Sequence, residues 1–315
     1  MTSVVRGAQK AQAMAEPEPW RHTLKTLHPA SPITFRNILF PTDFSFTASR
    51  ALPYAVEVAR RSQATIHAVH VISPRASPTA SPEEWSQVVQ DDQEFRERGK
   101  IEIEHALQEL PHDLLFPKGD VWENLEEVIA DKEVDLIVMA THGRTGIAKA
   151  LMGSVAEKIF RQAPCPVLTV GPGVSSRASH AAAAELNCIV YATDFSPESL
   201  AASRYAISLA RDHHAQLILL HVVKEGTTDG EGVSLETLQC VVPLGANLSF
   251  NPQFIVERGR PADAILRIAE KAHADLIVLG ARQVESHITA AVHFSDSTAH
   301  QVLASAHCPV LTVHN

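Results

Sequence analysis

The sequence is short of cysteine, of net positive charge and of long apolar runs, and each shortage excludes a class of protein. Four cysteines in 315 residues, none in a CxxC spacing, are too few for a disulfide framework and predict a reducing compartment. A net charge of −9 leaves no broad basic surface for nucleic acid. No apolar stretch approaches the roughly 20 residues that cross a bilayer, and the first residues lack the apolar core of a secretory signal. We therefore expect a cytoplasmic protein without a nucleic-acid or membrane partner.

Two kinds of catalytic site are also missing from the sequence. The phosphate-binding loop G-x4-G-K-(S/T) does not occur, and no pair of carboxylates lies beside the glycines to hold Mg²⁺, so fast phosphoryl transfer is not expected. The 17 histidines form no metal-ligand pattern, because the most regular of them are six or seven residues apart and give no i,i+4 pairs on one helix face. These are His287, His293, His300 and His307. We expect no metal site and at most slow hydrolysis of a nucleotide.

The chain contains two copies of one sequence pattern. Residues 36–72 and 187–223 align without a gap at an offset of 151, and both contain a Thr-Asp-Phe-Ser segment after an apolar run. Downstream, Asp135–Val138 matches Asp275–Val278 at an offset of 140. A length of 315 residues also fits two domains of roughly 100–200 residues each. We therefore divide the chain into a flexible N-terminal extension (1–33), a first domain (34–172), a linker (173–185) and a second domain (186–315).

Short apolar runs alternate with helical patterns in each copy. In the first copy, strands are predicted near 37–41, 65–72, 113–117, 135–140 and 166–170, and helices near 46–62, 83–110, 121–132 and 154–163. The apolar runs are continuous rather than alternating, which is typical of strands buried on both faces. Strands that alternate with helices indicate βαβ units with right-handed crossovers. The expected fold is therefore α/β, with two tandem, doubly wound, parallel-sheet domains.

One run of 13 residues, Gly143–Val155, carries the clearest functional signal. It follows an apolar strand and leads into a predicted helix. Gly143 and Gly153 let the backbone approach a ligand closely, and Ser154 adds a hydroxyl at the positive end of the helix dipole. This combination suits phosphate groups and indicates a nucleotide. The alternative is purely structural, since Ser154 and Glu157 also fit a capping box that only starts the helix.

Other candidates lie beyond the carboxyl ends of the strands, where the ligand crevice of an open parallel sheet is expected. Asp43 ends the first strand, and its carboxylate can accept hydrogen bonds from a ribose or a base amine. It can equally cap the helix that follows, and Asp194 has the same setting in the second copy. Arg144 and Lys149 can neutralise phosphate charge or remain solvated loop cations, and for Lys149 we favour the second interpretation.

These features together resemble the universal stress protein family. The motifs are Pro41–Ser45 at one strand end, His70-Val71 at the next, and Thr141-His142-Gly143 followed by Gly153-Ser154. The resemblance covers nearly all of the first copy and, more weakly, the second, so the chain looks like a tandem member. It implies the five-stranded, adenine nucleotide alpha hydrolase-like fold, with strand order 3-2-1-4-5 in each domain.

In that family, nucleotide-binding members hold ATP with the motif G-x2-G-x9-G-(S/T). Carried over to the first domain, the resemblance implies that Asp43 faces the adenosine, that Val71 contacts adenine, and that the glycine motif holds the phosphates and ribose. Ala140 replaces the first motif glycine, and we expect its methyl group to leave the site intact. The implied site for ATP, with or without Mg²⁺, comprises Pro41, Thr42, Asp43, Val71, Ala140, Gly143, Arg144, Gly153, Ser154 and Val155.

The second copy departs from this motif. It keeps the first glycine as Gly280, but Gln283 stands at the second position and Asp296-Ser297 replaces Gly153-Ser154. A carboxylate about 5 Å from a phosphate charge costs roughly 3 kcal/mol at an effective dielectric constant near 20, which is about a hundredfold in affinity. We therefore expect the second domain to bind nucleotide weakly or not at all. The resemblance implies instead that it mimics a dimer partner, because family members commonly pair through their final strand.

Three functional hypotheses follow. In the first, the chain is an ATP-binding stress regulator, and nucleotide in the first domain alters its assembly as a homodimer or its contacts with an unidentified protein partner. In the second, the chain is a nucleotide-free interaction or scaffold protein that acts through dimerisation. In the third, it is a slow ATPase. The hypotheses differ in whether the purified protein binds, ignores or hydrolyses ATP or another adenine nucleotide.

Overall fold

A computed structural model describes residues 33–72, 82–141, 152–174, 184–223, 235–243, 245–282 and 297–314, with the backbone alone for 82–92. We call the described residues up to 174 the first half and those from 184 the second half. Nearly all of the N-terminal extension and most of the linker lie outside these residues. So do Gly143, Arg144 and Lys149 of the first copy, and Gln283, His287, His293 and Asp296 of the second.

The first half alternates strands with helices, as predicted. Its strands are β1 (Asn37–Pro41), β2 (Thr65–Val69), β3 (His112–Leu115), β4 (Leu136–Ala140) and β5 (Val167–Val170). Its helices are α1 (Phe46–Ser49), α2 (Leu52–Ser62), α3 (Pro82–Leu107), α4 (Val121–Asp131) and α5 (Ser154–Gln162).

The second half repeats this alternation. Its strands are β6 (Cys188–Thr193), β7 (Gln216–Val223), β8 (Gln253–Arg258), β9 (Leu276–Gly280) and β10 (Val310–Val313). Its helices are α6 (Pro197–Asp212), α7 (Leu235–Gln239), α8 (Pro261–Lys271) and α9 (Thr298–Ser305).

The ten strands form one sheet in the order β3-β2-β1-β4-β5-β10-β9-β6-β7-β8. Neighbouring strands within each half are parallel, and each half has the order 3-2-1-4-5, which confirms the predicted doubly wound fold. The halves join where β5 and β10 pair antiparallel, with Leu168 opposite Leu311. The domain boundaries at 34–172 and 186–315 stay a prediction.

Two apolar layers cover the two faces of the sheet and run through both halves. Successive residues of a strand point to opposite faces, so Ile38 joins the layer under α2 and α6, while its neighbour Leu39 joins the layer under α4, α5, α8 and α9. Both side chains are fully buried. Burial on both faces explains why the central strands are nearly continuous apolar runs.

The predicted helix over 46–62 is wrong in one respect, because the structure contains two helices there. Proline has no backbone N–H and its ring clashes with the carbonyl four residues earlier, so Pro53 cannot continue a helix that begins at Phe46. It lies instead in the first turn of α2, where no N–H is required. Arg204 occupies the aligned position of the second half, and α6 runs there without a break over 16 residues.

None of the described helices combines the length and the apolar character that a membrane crossing requires.

Candidate functional site

The candidate site lies where the strand order of the first half reverses, between β1 and β4. The crossover from β1 leads to β2 on one side, while β4 lies on the other, and such a switch point opens a crevice at the carboxyl edge of the sheet. Pro41 ends β1 opposite Val69 of β2, and Ala140 ends β4. Val71 is half-buried two residues beyond β2.

Asp43 lies in a tight turn directly after β1. Its carboxylate accepts a hydrogen bond from the backbone N–H of Ser45 at 3.0 Å. Ser45 itself is the N-cap of α1, and its hydroxyl accepts from the N–H of Ala48 at 3.1 Å. The interpretation of Asp43 as the helix cap is therefore wrong, because Ser45 fills that role. Asp43 stabilises the turn and stays half-buried at the edge of the sheet.

An aromatic contact between Phe44 and His70 stabilises this turn. Phe44 has a positive φ of 60°, and its N–H donates to the hydroxyl of Thr42 at 3.0 Å. Its ring stacks on the imidazole of His70 with centroids 4.5 Å apart. The imidazole Nδ1–H in turn donates to the carbonyl of Thr42 at 2.9 Å. In the sequence His70 stands out only as part of a motif, and no spacing of residues indicates this contact with Phe44.

The head of α5 is the second part of the site. Gly153 is the N-cap, with φ −69° and ψ 154°, and no side chain caps this helix. The N–H of Gly153 donates to the carbonyl of Thr141 at 2.8 Å, which ties the start of α5 to the end of β4. The proposed capping box is therefore wrong, since Ser154 is the first helical residue and Glu157 pairs with Arg161 at 3.1 Å.

Ser154 and Val155 both face outward at this helix head. Within the described part of the chain, the Ser154 hydroxyl has no hydrogen-bond partner. The first N–H groups of a helix have no partner inside the helix and carry partial positive charge. An uncapped helix end with an outward hydroxyl is therefore suited to bind an anion.

The structure thus places eight of the ten predicted site residues along one edge of the first half. Pro41, Thr42 and Asp43 follow β1, Val71 follows β2, Ala140 ends β4, and Gly153, Ser154 and Val155 begin α5. Gly143 and Arg144 lie outside the described residues. The roles of these residues in binding stay predictions.

The second half builds the same turn after its own first strand. Phe195 has a φ of 62°, its ring lies 4.7 Å from that of His221, and the imidazole Nδ1–H donates to the carbonyl of Thr193 at 2.8 Å. Burial alone would raise the pKa of Asp194, but hydrogen bonds from Ser196 and Ser199 and the positive charge of Arg282 outweigh it. Together they lower the pKa of Asp194.

The helix head of the second half differs from that of the first. Ser297 is the N-cap of α9, and its hydroxyl accepts a hydrogen bond from the N–H of His300 at 3.2 Å. The hydroxyl is thus used inside the protein. Asp296, which aligns with Gly153, lies outside the described residues.

Gly280 and Ala140 occupy the aligned ends of β9 and β4. A Cβ on Gly280 would lie 2.5 Å from the carbonyl carbon of Glu198 and the Cα of Ser199, at the start of α6. Such a distance is impossible without movement of the helix backbone. The glycine is therefore required by helix packing. In the first half the aligned helix is interrupted between Ser49 and Leu52, and the strand end carries the methyl group of Ala140.

Among the residues that the structure describes, no group of three or more His, Cys, Asp or Glu side chains is arranged to hold a metal ion. Burial raises the pKa of the Cys165 and Cys308 thiols to about 12. These buried thiols stay protonated at neutral pH, so they act as small apolar side chains.

One known protein family matches both halves of this chain. The sequence profile of the universal stress protein family matches residues 34–171, 186–239 and 247–314. A universal stress protein of Methanocaldococcus jannaschii, MJ0531, is 33% identical over 143 residues, which are 43% of this chain and 82% of that protein. Universal stress protein A homolog 1 of Coxiella burnetii is 34% identical over 143 residues, or 43% of this chain and 96% of that protein.

Solved structures agree on the fold. The crystal structure of a universal stress protein from Archaeoglobus fulgidus covers 90% of this chain and 98% of its own, with a TM-score of 0.66 and 23% identity. At that identity the likeness supports the fold alone. One member of the family was solved in complex with cAMP; it covers 41% of this chain and 98% of its own, with a TM-score of 0.34 and 24% identity.

Proposed function

The chain belongs to the universal stress protein family, and on that premise we propose that its first half binds ATP or another adenine nucleotide. The second half serves as a built-in dimer partner, and the tandem chain acts in the cytoplasm as a stress-response regulator. Nucleotide in the first half changes the assembly of the chain into a homodimer or its contacts with a protein partner. The domains concerned are residues 34–172 and 186–315, joined by the linker 173–185.

The uncapped head of α5 is the observation that carries this proposal. Gly153 brings no side chain to the helix N-terminus, and the hydroxyl of Ser154 has no partner in the described part of the chain. A phosphate group can accept from the first N–H groups of the helix and from that hydroxyl, and its charge is favourable at the positive end of the helix dipole. Where Mg²⁺ accompanies ATP, the ion neutralises part of the triphosphate charge.

The turn after β1 is suited to the nucleoside. The carboxylate of Asp43 is oriented by the N–H of Ser45 at 3.0 Å. A carboxylate accepts several hydrogen bonds at once, so it is suited to a ribose hydroxyl or a base amine. Val71 offers half-buried apolar surface one strand away, which suits the face of an adenine ring. An acceptor held in this way orients a ligand, which supports a binding function over rapid catalysis.

The pairing of the final strands supports the role of the second half. Strands β5 and β10 form an antiparallel ladder from Val167 to Thr169 and from Val310 to Thr312. Each half thereby covers an edge strand that would otherwise expose unpaired N–H and C=O groups. The second half also uses the hydroxyl of Ser297 to cap its own helix, so it has less to offer a phosphate.

Titration calorimetry of the full chain with ATP tests the proposal. We expect one site per chain. The variant Gly153→Asp should lower the affinity about 100-fold, because a carboxylate about 5 Å from a phosphate charge costs roughly 3 kcal/mol. Aspartate is a favoured N-cap residue, so α5 should still form in this variant.

Ser297→Asp is the matched control. It adds the same charge at the head of the aligned helix α9, and we expect ATP affinity within about twofold of that of the unmodified chain, a change of only about 0.4 kcal/mol. An unmodified chain that binds no ATP would support the nucleotide-free scaffold instead. A Gly153→Asp variant that binds as tightly as the unmodified chain would place the ligand elsewhere.

A further inference from the structure

A buried glycine in the long helix of the first half faces the turn that carries Asp43. Gly99 lies in the interior of α3, where glycine is the least favourable residue after proline. A Cβ on Gly99 would overlap the Cγ and Cδ1 atoms of Phe44 and would lie 2.6 Å from its Cβ. The ring of Phe44 therefore rests directly on the backbone of α3, and only glycine leaves room for it.

The position of Phe44 is fixed from several sides. Its ring stacks on His70 at 4.5 Å and has Phe95 and Phe116 at 6.5 and 6.3 Å. Its backbone has a φ of 60°, which a non-glycine residue adopts only when its surroundings hold it there. A side chain added at Gly99 cannot be accommodated by a simple rotation of the ring, because the Cβ of Phe44 is also too close.

Movement of Phe44 must also move Asp43. The two residues are adjacent, and hydrogen bonds close the turn on both sides of Phe44 along the chain. Phe44 N–H donates to Thr42, and the Asp43 carboxylate accepts from Ser45 N–H, each at 3.0 Å. The direction of the carboxylate thus depends on where the ring of Phe44 is seated.

The second half keeps the turn but not this contact. Phe195 has nearly the same φ, 62°, and the same neighbour, His221. None of the described glycines of the second half lies against Phe195, since Gly245 and Gly259 have open space and Gly280 faces α6. Among the described glycines, close approach to the phenylalanine of the turn is therefore confined to the half in which we place the nucleotide.

We propose that Gly99 is a positioning residue for nucleotide binding: by admitting the ring of Phe44 against the backbone of α3, it sets the direction of the Asp43 carboxylate. This inference rests on the proposed function of the first half. Gly99 does not touch the ligand and acts only through Phe44 and Asp43.

The test compares ATP affinity, measured by titration calorimetry, in the full chain and four variants. Gly99→Ala should lower the affinity at least about tenfold, the value of one misdirected hydrogen bond to a charged group. In a Phe44→Gly background the overlap is gone, so adding Gly99→Ala should change the affinity by no more than about twofold. Glu102→Gly controls for stability, because it weakens the same helix at an exposed position and should leave the affinity within about twofold.

The outcomes separate this inference from the proposed function. An unmodified chain that binds no ATP overturns both. If the unmodified chain binds ATP, three results would overturn the inference alone. Gly99→Ala could bind ATP as tightly as the unmodified chain, or Glu102→Gly could lose as much affinity as Gly99→Ala. Gly99→Ala could also have the same effect on affinity in the Phe44→Gly background. Should Gly99→Ala fail to fold, recovery of folding in the double variant reports the same coupling between the two residues.

Discussion

The two halves of the chain build one turn and then use their helix heads in opposite ways. After β1 and after β6, a phenylalanine with positive φ rests on a histidine that is bonded to the strand-end carbonyl. At the heads of α5 and α9, by contrast, Ser154 points outward and Ser297 caps its helix. The turn is thus a property of the fold, whereas the helix head differs in the half in which we propose the nucleotide.

A glycine at a motif position can serve either ligand binding or helix packing. Gly280 is the first glycine of the nucleotide motif in the second half, yet it lies against the backbone of α6. Its aligned residue in the first half, Ala140, belongs to the half in which we propose the nucleotide. A motif glycine can therefore be required for helix packing, independently of nucleotide binding.

Replacement of Gly280 is expected to give the largest effect on stability. Gly280→Ala should lower the free energy of unfolding by about 1–3 kcal/mol, because the added methyl group overlaps the backbone of α6, which cannot rotate away. Urea unfolding at neutral pH measures the change. The reverse substitution, Ala140→Gly, should cost only about 0.5–1 kcal/mol through backbone entropy. Equal effects at the two positions would contradict the packing role of Gly280.

The two serines at the helix heads should separate stability from binding. Ser297→Ala removes a helix cap and should cost about 1 kcal/mol of unfolding free energy without affecting ATP. Ser154→Ala removes a hydroxyl that caps nothing and should leave the unfolding free energy within about 0.5 kcal/mol. It should instead weaken ATP binding by several-fold, about 1 kcal/mol for one hydrogen bond. Unfolding curves and titrations that show the opposite pattern would reverse our assignment of the two helix heads.

Much of the fold was predictable because buried parallel strands have a strong signature in sequence. The apolar runs gave all five strands of the first half within a few residues, since burial on both faces leaves few polar positions in the central strands. The break between α1 and α2 was not predicted. The neighbours of Pro53 are good helix residues, and proline is also compatible with the first turn of a helix.

The candidate site was predictable only in part. Residues at strand ends are found by position, and Asp43, Val71 and Ala140 do lie at one edge. The role of Ser154 could not be read from spacing, because a capping box and an open helix head have the same sequence and differ in a shift of one residue. The contact between Gly99 and Phe44 joins residues 55 positions apart, and no local pattern indicates it.

The interface between the halves also contains buried charged and titratable side chains. Glu57 of α2 is almost fully buried and pairs with Arg61 at 3.0 Å, and the Nδ1 atom of His213 lies 3.9 Å from it. Burial lowers the pKa of His213, with a smaller contribution from the charge of Arg61, while Glu57 and Asp212 act in the opposite direction. His213 is therefore neutral at neutral pH, and its contact with Glu57 is not an ion pair there.

Acidification should lower the free energy of unfolding through His213, and we expect this effect to be smaller than those above. Unfolded histidine titrates near pH 6.5, whereas folded His213 titrates lower. Between these two values the unfolded state binds more protons, so the free energy of unfolding falls as the pH drops below about 6.5. Burial also lowers the pKa of His67, His221 and His314, so part of the fall remains in any single variant.

Urea unfolding at about pH 7.5 and 5.5 measures the contribution of His213, since the first value lies above and the second below the ordinary histidine pKa. In His213→Gln the loss of stability on acidification should be smaller than in the unmodified chain, because the side chain can no longer take up a proton in the unfolded state. His214→Gln, at the neighbouring and exposed histidine, is the matched control for the substitution itself. If both variants lose as much stability as the unmodified chain, burial of His213 between the halves does not contribute to their acid sensitivity.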